Sequence, residues 1–223
     1  MRIQPGVKRI LNHLGEVEHI LDLGCGNGVI ARYLLNHKHR GFYTGIDFSQ
    51  VLIETARQLS EKEIRPQKTS YTFQHADLTS AEWNSALPSL NYTVVCAFAV
   101  LHHIPGNTLR YQILSRVHNL LQNNPLSTRP GCFIHSEWQF LNRARLKNRI
   151  VDWGKVGLTS QDVEPMDYLV DWRHGGFGVR YVHQFTEAEL FDLAQATGFN
   201  VSETFYSDGE GGQLGLYQIW EAV

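Results

Sequence analysis

The sequence predicts an α/β fold, a doubly wound and mostly parallel sheet of seven strands with a lid or insertion ahead of its final helix. Three observations predict it. Short apolar, β-rich runs alternate with stretches of helical period, the order of a parallel sheet covered on both faces. A glycine-rich turn follows directly on the first of those runs. The alternation breaks once, from Gln139 to Gln184, over a stretch too long for a plain connection and placed where function often sits.

Taken in order, the strands are expected at His19–Leu23, Phe42–Ile46, Tyr71–His75, Tyr92–Ala97, Cys132–Ser136, Val201–Tyr206 and Leu216–Trp220. Between them the 3.6-residue period marks helices at Val29–Asn36, Gln50–Leu59, Thr108–Gln122 and Glu187–Thr197. Asn107 is placed to cap the third, whose apolar face is Leu109, Ile113, Val117, Leu120 and Leu121. Thr186-Glu187-Ala188-Glu189 reads as a capping box, and Gly198 stands where a left-handed residue ends the last helix. One domain is expected: 1–138 for the cofactor, 139–185 as substrate lid, and 186–223 as final helix and strand pair.

Composition bounds the function. At 223 residues, 43% hydrophobic and with net charge −2, the chain is globular, too apolar for disorder and too neutral to coat DNA. Its three cysteines, Cys25, Cys96 and Cys132, form no Cys-x-x-Cys pair, so no metal is expected and a reducing cytoplasm suits them. Met1 to Gly15 lacks a signal-peptide core, and the longest apolar run, Val94 to Leu101, is too short for a bilayer, so no membrane partner is expected.

The strongest signal is Ile20-Leu21-Asp22-Leu23-Gly24-Cys25-Gly26-Asn27-Gly28, a strand running into a glycine turn and then a helix. Asp47, nineteen residues after Gly28 at the end of the second strand, is placed to accept two ribose hydroxyls. Val29 stands where the dinucleotide fingerprint has its third glycine, and Asp22 would repel phosphate but attract an ammonium or sulfonium. The ligand implied is a nucleoside carrying positive charge.

These residues resemble the class I S-adenosylmethionine-dependent methyltransferases, whose first motif is an acidic residue followed by Gly-x-Gly-x-Gly. The resemblance implies a Rossmann-like sheet with its last strand antiparallel, and S-adenosylmethionine as cofactor. It implies that Asp22, Gly24, Cys25, Gly26, Asn27 and Gly28 line the methionine end, Asp47 the ribose, and Phe48, Asp77 and Leu78 the adenine. It also brings Ala97 and Phe98 under the sulfonium. A plain helix N-cap is the alternative for Asp77.

Downstream, Leu169-Val170-Asp171-Trp172 and Arg180-Tyr181-Val182-His183-Gln184-Phe185, leading to Glu189-Leu190, are similar to the tRNA wobble-uridine carboxymethyl methyltransferases. Asp171 replaces that family's proline, and Asp208 to Gly215 replaces its C-terminal Asn-Trp segment. The resemblance implies a carboxylate acceptor on tRNA and a small activator subunit. A small-molecule O- or N-methyltransferase and a non-catalytic cofactor-binding subunit are the alternatives. His102 and His103 are the candidate catalytic bases, since histidine titrates near neutrality. Trp138, Trp172, Arg173, Arg180, Tyr181 and His183 are the candidate acceptor-binding residues, suited to stack a ring and pair an anion. An ion pair with Asp167 or Asp171 is the alternative for the charged ones. The basic run Arg143, Arg145, Lys147 and Arg149 would steer phosphates or form a solvated face.

Overall fold

A computed structural model describes residues 3–14, 19–37, 39–63 (backbone alone at 62–63), 70–88, 91–122, 129–172, 176 and 178–223. The elements of its main body are α1 (Pro5–Leu11), β1 (Ile20–Leu23), α2 (Val29–Asn36), β2 (Phe42–Asp47), α3 (Gln50–Glu63), β3 (Ser70–His75), β4 (Val94–Phe98), α4 (Asn107–Gln122) and β5 (Cys132–Trp138). The lid follows as α5 (Ala144–Lys147), β6 (Ile150–Val151), β7 (Asp167–Trp172) and β8 (Gly178–His183), and the chain ends in α6 (Glu187–Ala196), β9 (Phe199–Ser207) and β10 (Gly215–Ala222). The seven expected strands form one sheet in the order β3-β2-β1-β4-β5-β10-β9, with β10 antiparallel to both its neighbours.

Strand β4 is apolar throughout, and β1 is apolar but for Asp22, because both of their faces are covered. Leu21, Leu23 and Val95 join Ile113, Val117, Leu190 and Trp220 in one core layer. Ile20, Val94 and Cys96 join Val7, Ile10, Ile30 and Ile53 in the other. Chain order reverses between β1 and β4, and in open α/β sheets the crevice at that point is where ligands sit. The glycine turn after β1 and a 3-10 turn at Leu101–His103 after β4 form its rim.

The break in the alternation becomes a small sheet of its own, β6-β7-β8, all antiparallel, over a minor core of Phe140, Val170 and Val182. Helix α1, not expected from the sequence, is tied to the far hairpin where the Gly6 N–H donates to Asp208 Oδ1 at 2.9 Å. Asn107 is the first residue of α4 rather than its cap, and its N–H donates to Glu164 Oε1 across the lid at 2.8 Å. The capping box does form at α6, with Thr186 Oγ1 accepting the Glu189 N–H. Among the described residues no helix is long and apolar enough to cross a membrane.

Candidate active site

A cavity of about 550 Å³ opens at the β1/β4 reversal. Asp22, Gly24, Cys25, Gly26 and Asn27 of the glycine turn line it, together with Phe98, His102, His103 and Trp138. Trp172 and Arg180 of the lid line it as well. Eleven of the residues expected from the sequence thus share one wall-to-wall space.

The cofactor end is built by backbone conformation. Gly24, Gly26 and Gly28 have φ of +67°, +55° and +73°, the left-handed region that glycine enters without cost. A side chain at Gly26 would meet nothing within 4 Å, so that face of the turn is open to a ligand. Gly28 serves packing instead. It caps α2 and lies so close to Ala56 and Phe73 that a Cβ would stand 3.0 and 3.1 Å from them. Asp47 reaches across from β2 and accepts the Gly26 and Ser49 N–H groups, each at 2.9 Å. Cys25 is a small buried residue beside Gly45, and burial pushes its thiol up, so it stays protonated.

Asp22 is 1% exposed and one of its oxygens accepts the Tyr43 hydroxyl. Burial pushes its carboxyl up to about 7, with the Tyr43 bond opposing and Asp47 adding to the rise. Its other oxygen has no partner among the described residues. An α-ammonium is the partner this arrangement lacks, and with the open Gly26 face it fits the methionyl end of S-adenosylmethionine. Because the folded pKa lies above the ordinary carboxylate value, an ammonium selects the ionised form, and binding below about pH 7 releases a proton. Calorimetry should therefore find S-adenosylhomocysteine affinity rising by about tenfold per pH unit below about pH 7 and levelling above it. A flat profile from pH 5 to 8 would count against this role.

The residues expected beside an adenine do not line the cavity. Phe48 is 75% exposed, and Asp77 is exposed with its Oδ1 accepting both the N–H and the hydroxyl of Thr79, a turn cap. Leu78 and Ala97 belong to the core, Ala97 with no exposure at all, so neither side chain reaches the cavity in this state.

The lid divides its residues by strand alternation. Arg180 and Trp172 share one face of the β7–β8 pair, and the Arg180 guanidinium lies 4.0 Å over the Trp172 ring. Tyr181 and His183 point the other way and do not line the cavity, which corrects their expected part in holding the acceptor. There the Tyr181 hydroxyl donates to Asp167 Oδ1 at 2.6 Å, and His183 places Nδ1 2.6 Å from Asp167 and Nε2 2.8 Å from Glu189. At the centre is Arg110 of α4, fully buried, donating to Ile104 O, Glu164 Oε2 and Tyr181 Oη. Glu164, Asp167 and His183 bring ligand-type atoms within 4.8 Å of one another, but the Arg110 guanidinium already supplies their positive charge, 3.2 Å from Glu164 and 3.6 Å from Asp167. Arg173 lies outside the described residues.

Two residues missed from the sequence complete the site. Glu137 is buried at the end of β5 with its Oε2 accepting the His102 N–H at 3.0 Å and lying 2.9 Å from His102 Nδ1. Arg110, described above, ties the lid to α4. Both had a signal: Glu137 stands two residues after His135 on one face of a strand that begins apolar, and Arg110 falls on the buried stripe with Ile113, Leu114 and Val117.

Residues 21–125 match a methyltransferase domain family. The chain is 36% identical over 199 residues to an uncharacterized methyltransferase of Schizosaccharomyces pombe, covering 83% of this chain and 68% of that one. It is 27% identical over 88 residues to the ubiquinone biosynthesis O-methyltransferase of Coxiella burnetii, but that match takes in 40% of this chain and only 33% of that enzyme's length. Among solved structures, an S-adenosylmethionine-dependent methyltransferase of Methanosarcina mazei superposes with TM-score 0.71 at 22% identity, over 100% of this chain and 99% of that one. The magnesium protoporphyrin IX methyltransferase of Synechocystis, with S-adenosylhomocysteine bound, superposes with TM-score 0.63 at 18% identity, over 98% and 80%. The fold defines the class, a Rossmann-like α/β domain with the sheet of these methyltransferase structures. The chain belongs to the methyltransferases, and its fold is that of solved S-adenosylmethionine-dependent members.

Proposed function

We propose that this methyltransferase acts on an oxygen of a small planar acceptor that also carries an anionic group. Arg180 is the observation that carries the reading. It lines the cavity, has no carboxylate within ion-pair distance among the described residues, and is pressed from its charged form first by partial burial and then by the Arg149 cation. Such a guanidinium favours an incoming carboxylate or phosphate, and Trp172 beside it and Trp138 across the cavity offer surfaces for a ring. The cavity volume lies in the range of roughly 300–1,000 Å³ common to small-molecule sites. With the cofactor bound, a sulfonium methyl is supplied for in-line displacement; the chain's part is to align the acceptor oxygen, exclude water and take any proton it carries.

A carboxymethylated wobble uridine of tRNA is the second reading. It too is a planar ring with a carboxylate, and Arg180 belongs to the segment similar to that family. Against it, Arg143 pairs with Glu210 and Arg149 with Asp171, which leaves little of the basic run for phosphates. The free cysteines agree with action in a reducing cytoplasm.

Labelled methyl transfer into separated metabolite and tRNA fractions decides between them. The expected label is in the low-mass fraction, with modest salt dependence. Arg180→Ala should cut kcat/KM by roughly 30-fold or more, since losing a buried partner of a charged group costs about 2 kcal/mol or more, without altering S-adenosylhomocysteine affinity. Label confined to tRNA and falling steeply with salt would favour the second reading.

A further inference from the structure

We propose that Glu137 is a positioning residue that holds His102 as general base, so that the acceptor is a hydroxyl entering the cavity with its proton still attached. This rests on the small-molecule reading above and narrows its substrate class.

Glu137 sits at the carboxyl end of β5 with its two oxygens divided between two imidazoles. Oε2 faces His102 Nδ1 at 2.9 Å and also accepts the His102 backbone N–H, while Oε1 faces His135 Nδ1 at 2.8 Å. An ionised carboxylate can only accept, so both rings present Nδ1–H to it. Burial raises the Glu137 pKa, and the donors from His135 and His102, with the Arg110 charge, oppose that rise and favour the charged form. His102 is then a neutral imidazole with its lone pair on Nε2. That atom has no partner among the described residues, and the ring lines the cavity between the glycine turn and Arg180.

His103 differs in the anchor. Its Nδ1 lies 2.9 Å from the Tyr181 carbonyl, so its Nε2 is also unprotonated, but a neutral carbonyl stabilises an imidazolium far less than a carboxylate does. The groups facing His102 are Glu137 from β5, His103 in its own turn, and Arg180 and His183 from β8. Burial and the Arg180 and His183 charges push His102 down to about 3, so Glu137 is the one negative group among them that can support a proton on this ring.

The step balances simply. As the acceptor oxygen meets the methyl group, its proton passes to His102 Nε2. The C–O bond forms, the C–S bond breaks with its electron pair remaining on sulfur, and the imidazolium held by Glu137 later loses the proton to water. A carboxylate acceptor would need none of this.

The test exploits the one contact that opposes the arrangement: the Trp138 N–H lies 3.2 Å from the same His102 Nδ1. If that bond prevailed, Nδ1 would be bare, Glu137 protonated, and Nε2–H would face the cavity. Imidazole ¹⁵N NMR of the full chain with S-adenosylhomocysteine, assigned with His102→Gln, separates the two. The expected spectrum has His102 neutral at pH 7 with its proton on Nδ1, a preference that weakens in Glu137→Gln. A proton on Nε2 in the wild type overturns the relay whatever the acceptor proves to be.

As a second readout, 3,4-dihydroxybenzoate offers phenol and carboxylate in one probe. Methylation at a phenolic oxygen, slowed about 100-fold in kcat by Glu137→Gln with KM little changed, is the expected result. An ester product would overturn the hydroxyl assignment. An Nδ1-protonated His102 with label only in tRNA would instead defeat the small-molecule reading and spare the relay.

Discussion

Asp47→Ala is expected to weaken S-adenosylhomocysteine binding by about 100-fold or more while the chain remains folded. Asp47 ends β2, and its carboxylate holds the Gly26 and Ser49 N–H groups at 2.9 Å each. A carboxylate oxygen has lone pairs beyond those two bonds, and two ribose hydroxyls are the ligands expected to take them. Hydrogen bonds to a charged group contribute about 1.5–3 kcal/mol each, so losing two costs at least ~3 kcal/mol, and every 1.4 kcal/mol is tenfold. The substitution also unpins Gly26 from β2, which loosens the turn that faces the methionyl end. Asp47→Asn keeps an acceptor and should fall between the two. Calorimetry alongside thermal unfolding separates lost binding from lost fold; undiminished affinity in a folded Asp47→Ala would show that the ribose is held elsewhere.

The glycine turn could be read from the sequence because its chemistry is local. Asp22, the three glycines and Asp47 are fixed by two strands and the turns that follow them. The same holds for the mainly apolar runs of β1 and β4, which are short, bounded by turn residues and buried on both faces. The lid was less legible. In β7, Tyr168, Val170 and Trp172 do alternate with Asp167, Leu169 and Asp171, but the run is short, and in β8 Arg180 falls on the apolar face with Val182, which blurs the period there. That alternation also explains why Arg180 reaches the cavity while Tyr181 and His183 serve Arg110. The sequence placed all three together because they lie in one segment; only the strand's period of two separates them. Asp167, weighed as the alternative partner for these residues, is what His183 meets, with Nδ1 2.6 Å from its Oδ1.

Arg110→Ala is expected to destabilise the protein by about 3–5 kcal/mol, the usual cost of removing one partner from a buried ion pair. Its guanidinium has no exposure and joins α4 to Glu164, Asp167 and Tyr181 of the lid and to Glu189 of α6. Without it Asp167 stays buried beside Glu189, with His183 alone between them. At roughly 2–4 °C per kcal/mol for a chain of this size, the midpoint should fall by about 6–20 °C. Activity should fall further than stability alone dictates, because the Tyr181 carbonyl that orients His103 belongs to the strand Arg110 secures. Arg145→Ala, an exposed member of the basic run, is the control and should change stability by less than about 0.5 kcal/mol. Equal effects of the two substitutions would mean the network contributes nothing.

That one cavity joins the cofactor's methyl-bearing end to an acceptor site made by His102, Trp172 and Arg180 is tested most directly by a crystal structure with S-adenosylhomocysteine bound. The α-ammonium is expected on Asp22, the ribose hydroxyls on Asp47, and the sulfur facing the space between His102 and Arg180. A ligand whose sulfur faces away from that space, or whose adenine occupies the surface between Trp138 and Trp172, would contradict it.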